Sequence, residues 1–351
     1  MRHRRGLIAL VAMMAVASSS AFAQDKKLAD QQDKEKKNIR KVVDDLVAAS
    51  NTSNDFAASW VREDFLKAQG NKEYVPFTVS IDPSKVPAGS YLTFYWRVVL
   101  KGDAAAAAPT AGKKDDKKDK DKDSKSKDFP YEDIAFVTPS GQGPLRVARS
   151  FTVGAGTYDV FVLVKEPTPD KAPKNAPALK MSLIKQSITV PDYWNSELST
   201  SSVIVAQRID PLAAPLTPQQ QADRPYAMGN MEIVPVYDLK AFTKKSELST
   251  FMLIYNPKTD ASNKPDVTVE YNFYQKPAGQ PEKFFNKTNP QSLNAQTLPP
   301  QFDLAAGHQL QSGQAVPLAS FPEGDYRLEI KVTDKLANKT LTRDVNFTVN
   351  P

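Results

Sequence analysis

The chain has no cysteine among its 351 residues and only two histidines, His3 and His308. Without cysteine there is no disulfide, no thiol nucleophile and no cysteine-ligated zinc. His3 falls in a predicted export signal, so a Ser-His-Asp triad would depend on His308 alone, and no GxSxG nucleophile elbow precedes it. We therefore predict no catalytic residue, no metal site and no cofactor, and a hydrolase ranks third among the functions considered.

Sequence signals for nucleotides, calcium and nucleic acid are also missing. No glycine-rich loop follows a strand and opens a helix. Residues 119–124 place aspartates at the first, third and fifth positions of a calcium loop, but Ser124 stands where glycine is needed and Pro130 where the final glutamate belongs. The formal net charge of +6 includes three arginines of the export signal. Because no basic cluster remains outside one tract of mixed charge at residues 113–128, we predict no nucleic-acid partner.

The first 23 residues have the organisation of a cleaved export signal. Arg2, Arg4 and Arg5 form a positive start, residues 7–17 are apolar, and the small residues Ala21 and Ala23 mark a cleavage site. The apolar run has about 12 residues, against roughly 20 needed to span a bilayer. These features predict a protein exported to the periplasm or the exterior, with no transmembrane segment after cleavage.

Residues 24–55 are predicted to form a charged lead-in followed by a short amphipathic helix. Apolar residues fall at i, i+3, i+4, i+7 and i+8, which is one stripe of a helix; they are Ile39, Val42, Val43, Leu46 and Val47. The stripe is expected to dock on the first folded domain or to pair with a partner.

Period-2 alternation of apolar and polar residues dominates the rest of the chain. It is clearest at the C-terminal end, where Tyr326, Leu328, Ile330 and Val332 share one face of a strand. Such alternation is typical of half-buried antiparallel strands. The predicted strands are 74–81, 91–100, 131–137, 145–153, 157–164 and 179–190, then 201–209, 232–237, 250–255, 267–274, 283–285, 314–319, 326–332 and 341–349. Residues 56–67 are expected to form a hairpin with the first of these.

The predicted fold is all-β, with two immunoglobulin-like β-sandwich domains and a short N-terminal helix. The first sandwich spans residues 56–191, a junction 192–200, and the second sandwich 201–351. An Ala/Lys/Asp-rich insertion at 102–128 is expected to be disordered, and a Pro-rich loop covers 166–177.

The two insertions suggest a hypothesis about a binding surface. If the first six strands correspond to A, B, C, E, F and G of an immunoglobulin sandwich, the insertions are the B–C and F–G loops, which lie at the same end. Mobile charged loops at one tip would then form a contact surface. The alternative is that long surface insertions are tolerated without a function.

Each predicted sandwich has one tyrosine at the start of its penultimate strand. The two sequences are Gly156-Thr157-Tyr158 and Gly324-Asp325-Tyr326. This placement resembles the tyrosine corner of immunoglobulin and fibronectin type III sandwiches, which implies that Tyr158 and Tyr326 are structural. The Cys…Trp…Cys pattern of antibody domains is absent. Residues 321–349 also resemble the C-terminal ends of uncharacterised secreted bacterial proteins named for a GWxTD motif, although the motif itself is absent here.

Tyr193 and Trp194 form an aromatic pair at the predicted junction. Such a pair is a candidate ligand platform that stacks on sugars, or else it is buried to fix neighbouring structure. The function best supported by the sequence is a non-enzymatic binding or scaffold protein of the bacterial envelope, which contacts another envelope or extracellular protein through sandwich loops or strand edges. A carbohydrate-binding or adhesion module is the alternative, with a glycan as partner.

Overall fold

The structure is a computed structural model of the whole chain. It describes residues 35–36, 38–49, 53–86, 91–101, 129–139, 143–168 and 177–351. The predicted export signal, most of the lead-in, the insertion at 102–128 and residues 169–176 of the Pro-rich loop lie outside the described residues.

Strands dominate the described part of the chain, which confirms the prediction of an all-β protein with β-sandwich character. The first strands are β1 (Ser59–Glu63), β2 (Leu66–Lys67), β3 (Glu73–Ile81), β4 (Leu92–Leu100), β5 (Tyr131–Val137), β6 (Leu145–Val153), β7 (Gly156–Lys165) and β8 (Met181–Val190). Those that follow are β9 (Ser199–Thr200), β10 (Ile204–Pro211), β11 (Ala227–Met228), β12 (Met231–Pro235), β13 (Phe242–Thr243), β14 (Glu247–Tyr255), β15 (Val267–Lys276), β16 (Lys283–Lys287), β17 (Gln291–Leu293), β18 (Leu310–Pro317), β19 (Gly324–Asp334) and β20 (Lys339–Asn350).

Helical structure is short. Helix α1 covers residues 38–48, helix α2 is Pro218–Asp223, and a single 3₁₀ turn covers Pro83–Lys85. Thr217 caps α2 in a capping box with Gln220. No helix within the described ranges is long and apolar enough to cross a membrane.

The described residues divide into two compact units. The first comprises Met1–Ser59, Ser80–Leu145 and Tyr158–Ile188, and the second comprises Trp60–Val79, Arg146–Thr157 and Thr189–Pro351. The boundary at residues 192–200 that the sequence suggests remains a proposal, because the second unit also takes in two segments from the N-terminal half of the chain.

The first unit contains a four-stranded sheet in the order β5-β4-β7-β8. Helix α1 packs on one face of this sheet through its apolar stripe, as the docking hypothesis predicts. Ile39 and Val43 are fully buried there against Tyr95, Phe161 and Leu163.

Charged groups fix the register of helix α1 on the sheet. Asp44 of the helix lies 2.6 Å from the guanidinium of Arg97, which is fully buried. Arg40 pairs with Glu132, whose carboxylate also accepts a hydrogen bond of 2.9 Å from the Tyr95 hydroxyl. Because a buried charge is costly without its partner, these pairs hold the helix in one position.

The second unit contains a small sheet, in which β1 and β2 flank β3 and β6 also pairs with β3. Residues 56–67, which the sequence predicts to form a hairpin with β3, supply β1 and β2.

The pairing of β4 with β7 overturns the hypothesis that both insertions lie at one tip. Strands β4 and β7 are antiparallel, with Leu100 opposite Tyr158 and Thr93 opposite Lys165. The chain leaves β4 after Leu100 to enter the 102–128 insertion, and it leaves β7 after Lys165 to enter the 166–177 loop. The two insertions therefore begin at opposite ends of the same sheet.

The second unit also contains a complete sandwich. One sheet has the order β11-β12-β10-β14-β18 and the other β13-β20-β19-β15-β16, and the short strands β9 and β17 pair with β14 and β15. Both sheets contribute to one apolar core, in which Leu248, Ile254, Tyr271, Leu328 and Phe347 are buried. The closing hairpin β19–β20 pairs without a bulge from Gly324 opposite Val349 to Asp334 opposite Lys339.

Candidate functional site

The segment that carries the predicted aromatic platform is a loop between β8 and β9, and its shape is set by short polar side chains. The carboxylate of Asp192 accepts a hydrogen bond of 2.8 Å from the backbone N–H of Trp194. The amide oxygen of Asn195 accepts one of 2.9 Å from Glu197 N–H. Turns of this kind are typical of aspartate and asparagine.

Tyr193 points inward and is only 4 % exposed. Its ring lies 4.9 Å from that of Tyr255, within an apolar cluster that includes Leu66, Ile204 and Phe251. Its hydroxyl donates to the Phe65 carbonyl at 3.3 Å. Burial raises the pKa of Tyr193 well above its ordinary value. The ring offers no free face to a ligand, so the predicted pair of stacking rings reduces to Trp194.

Trp194 is 38 % exposed and yet held in place. Its indole N–H donates to the Lys72 carbonyl at 3.1 Å. The Lys67 ammonium lies 4.2 Å from the ring centroid, within the range of a cation–π interaction. An exposed indole that is fixed by a hydrogen bond and a cation loses little conformational entropy when a partner covers it.

The cation on the indole ring belongs to a small polar cluster. Lys67 Nζ donates to the amide oxygen of Asn256 at 3.0 Å. The amide nitrogen of Asn256 donates in turn to the carbonyls of Tyr193 and Glu197, both at 3.0 Å. Asn256 has a positive φ of 55°, a conformation that asparagine tolerates better than most residues.

Glu73 lies beneath this cluster and is fully buried. One carboxylate oxygen accepts a hydrogen bond of 3.3 Å from Tyr193 N–H, and the other has no hydrogen-bond partner among the described residues. Burial, reinforced by the nearby Asp192 carboxylate, raises the pKa of Glu73. Burial also lowers the pKa of Lys67. We call Lys67, Glu73, Asp192, Trp194 and Asn256 the Trp194 surface.

Sequence reasoning found Trp194 but missed Lys67 and Glu73. The sequence signal for these two residues is the turn-forming stretch at 69–72. In the structure its Gly70 and Asn71 both have positive φ values, and Ala68 N–H donates to the Lys72 carbonyl. A tight turn at this position sets the register that places Lys67 directly opposite Glu73.

The two tyrosines predicted to be structural are both buried, Tyr158 at 6 % exposure and Tyr326 at 0 %. The Tyr326 hydroxyl donates to the Pro322 carbonyl four residues upstream, at 2.7 Å. That is the contact made by the tyrosine of a tyrosine corner.

The groups most suited to catalysis serve the backbone instead. His308 is exposed, and its Nδ1 accepts a hydrogen bond of 3.0 Å from Asp303 N–H. Asp334 faces a depression of about 400 Å³, but its carboxylate accepts the N–H groups of Lys258, Leu336 and Ala337. No group of three or more metal-binding side chains occurs in the part of the chain that the structure describes.

No family model matches the chain, and no curated protein matches it. Among solved structures, Salmonella alpha-2-macroglobulin reacted with methylamine is 15 % identical with a TM-score of 0.22, and the native E. coli alpha-2-macroglobulin is 12 % identical with a TM-score of 0.20. These matches cover 84 % and 85 % of this chain, but this chain spans only 16 % of each macroglobulin. A structure described as pT26-6p is 10 % identical with a TM-score of 0.19, over 84 % of this chain and 66 % of that one. These TM-scores lie far below 0.5, so the matches carry no inference about function.

Proposed function

We propose that this chain is a non-enzymatic binding protein that contacts a protein partner through the Trp194 surface. The observation that carries the proposal is an exposed tryptophan whose orientation is fixed by the Lys72 carbonyl and the Lys67 ammonium. Tryptophan is enriched among the few residues that supply most of the energy of protein interfaces.

The surface favours a protein over a glycan as the partner. With Tyr193 buried, one indole is left where two stacking rings were expected. A protein interface needs only one anchored aromatic residue surrounded by polar groups that exclude water.

The location and the absence of catalysis are further parts of the proposal. The predicted export signal at residues 1–23 supports a role in the bacterial envelope or outside the cell. A non-enzymatic role is supported by the engagement of His308 Nδ1 and of the Asp334 carboxylate with backbone amides.

Site-specific photo-cross-linking tests this function. A photoreactive residue at Asn195, exposed and next to Trp194, is compared with one at the exposed Asn286 on β16. We expect one defined protein from the native source to cross-link from position 195 and not from position 286, and Trp194→Ala to abolish the product. Equal products from both positions would contradict the proposal. The carbohydrate-binding alternative predicts no protein product and a change in Trp194 fluorescence on addition of oligosaccharides.

A further inference from the structure

The indole of Trp194 already carries a cation from its own chain. Lys67 Nζ lies 4.2 Å from the ring centroid and donates to Asn256. An ammonium over an indole face is the arrangement by which proteins recognise cationic groups. The ring is therefore a cation-binding site with Lys67 as the resident occupant.

The Glu73 carboxylate is a second possible partner for the Lys67 ammonium. It lies directly opposite Glu73 on the paired strands β2 and β3. Side chains in that relationship start from Cβ atoms about 4.5–5.5 Å apart, within easy reach of a lysine that changes rotamer. Opposite charges at such positions normally pair, whereas here the lysine lies over the indole and one oxygen of the buried Glu73 carboxylate lacks a hydrogen-bond partner among the described residues.

We infer that the Trp194 surface takes an arginine side chain of the partner protein, which replaces Lys67 on the indole while Lys67 turns onto Glu73. This inference rests on the proposed function and adds the chemistry of the partner. The guanidinium is more weakly hydrated than an ammonium and stacks on aromatic faces. The exposed carboxylate of Asp192, two residues before Trp194, adds negative charge for the incoming cation.

After the exchange both cations have a partner: the arginine lies on the indole, and Lys67 pairs with Glu73. In the free protein, Glu73 is a buried carboxylate with half of its hydrogen-bonding capacity unused, which is an unfavourable arrangement. Once the arginine occupies the ring, the Lys67 ammonium supplies the missing donor to Glu73. Burial raises the pKa of Glu73 even though the Lys67 charge opposes that shift, and this pKa should fall when the ammonium moves into hydrogen-bond contact with the carboxylate.

The test uses the mature full chain and the peptide acetyl-Gly-Arg-Gly-amide, with the same peptide carrying neutral citrulline in place of arginine as the control. Binding is followed by the NMR shift of the Trp194 indole N–H. We expect the arginine peptide to bind and the citrulline peptide to bind at least about threefold more weakly, the size of a surface cation–π interaction.

Two variants separate the exchange from simple attraction. Lys67→Met keeps the aliphatic packing and vacates the ring, so we expect arginine-peptide affinity to rise about three- to tenfold. Glu73→Gln removes the second position for the ammonium, so affinity should fall. In the unsubstituted protein the pKa of Glu73, followed by its carboxyl ¹³C shift, should decrease on binding. Circular dichroism confirms that each variant is folded.

Equal binding of the arginine and citrulline peptides would overturn the inference, as would an unchanged or weaker affinity in Lys67→Met. If the arginine peptide fails while a Trp194-dependent protein still cross-links from position 195, the cation assignment is wrong and the proposed function stands. If the peptide behaves as expected and no protein cross-links, the proposed function is wrong. The arginine of a partner protein is then also wrong, and the experiment establishes only a cation site on Trp194.

Discussion

Lys67 and Glu73 lie directly opposite each other on paired strands, yet the Lys67 ammonium bonds Asn256 and lies over an indole, while one oxygen of the buried Glu73 carboxylate lacks a partner in the described part of the chain. A cross-strand pair of opposite charges would ordinarily close. This open arrangement lies beside Trp194, the exposed and fixed residue on which the proposed function rests.

The pH dependence of stability should reveal the buried Glu73. Its folded-state pKa is raised above the ordinary value of 4.5, so the folded protein binds more protons than the unfolded chain between 4.5 and the raised pKa. The free energy of unfolding of the unsubstituted protein, relative to Glu73→Gln, should therefore rise as the pH falls through that window and level off below it. Urea unfolding at a series of pH values measures this difference.

Glu232 is a control for which the opposite pH dependence of stability is expected. Its hydrogen bond to Arg224 lowers its pKa. The unsubstituted protein should therefore have a higher free energy of unfolding than Glu232→Gln above pH 4.5. This difference should be lost as the pH falls through the lowered pKa. The same sign for both variants would contradict the assignment of Glu73.

Removing the Tyr326 hydroxyl should weaken the second sandwich. Tyr326→Phe keeps the buried ring and deletes the 2.7 Å hydrogen bond to the Pro322 carbonyl, so we expect a loss of about 1 kcal/mol in the free energy of unfolding. Tyr91→Phe, at a tyrosine that is 37 % exposed, serves as the matched control and should change it little. Equal effects of the two changes would show that the Pro322 contact contributes nothing.

Helix α1 should depend on one ion pair. Asp44→Ala leaves the fully buried Arg97 guanidinium without its carboxylate, and we expect a loss of about 2–3 kcal/mol, less than for a pair with both partners buried because Asp44 is partly exposed. Asp45→Ala, at an exposed position on the same helix, is the control. Hydrogen exchange of the helix amides reports the loss directly. Unchanged protection in Asp44→Ala would mean that apolar packing alone holds the helix.

A buried cluster within the second unit should be equally sensitive. Asp64 accepts hydrogen bonds from Arg62 and, at 2.8 Å, from the Tyr226 hydroxyl, and burial raises the pKa of Asp64. Asp64→Ala removes the carboxylate that both donors share, leaves Arg62 with only its 3.2 Å hydrogen bond to the Val236 carbonyl, and should cost about 3 kcal/mol. Asp210→Ala, which breaks an exposed ion pair with Arg208, should cost less than about 1 kcal/mol. Thermal unfolding of both variants measures the two losses of stability. Similar losses would contradict the role assigned to Asp64.

Much of the fold follows from the sequence because a buried strand face repeats every second residue. The predicted strands of the first half differ from β3 to β8 by at most two residues at any end. The sequence indicates β1 only as part of a hairpin over residues 56–67, because SWVRE has no clean alternation and its residues are mostly half-buried. The tip hypothesis was wrong because the sequence does not show which strands pair, and the two insertions follow β4 and β7, which are antiparallel neighbours.

The candidate site was only partly predictable for a different reason. Trp194 stands out in the sequence as an aromatic residue in a polar loop. The burial of Tyr193 depends on Leu66, Ile204 and Tyr255, which are distant in sequence and meet only in the folded chain. The position of Lys67 over the ring is a rotamer choice that no residue pattern encodes.

The central claim is that Trp194 anchors a protein partner. The direct measurement is the equilibrium affinity of the partner cross-linked from position 195 for the unsubstituted protein, for Trp194→Ala and for Phe284→Ala, which removes another exposed aromatic ring. We predict that Trp194→Ala weakens binding about 30-fold or more, the scale of an interface hot spot, and that Phe284→Ala stays within about twofold. Equal affinities for Trp194→Ala and the unsubstituted protein would contradict the account.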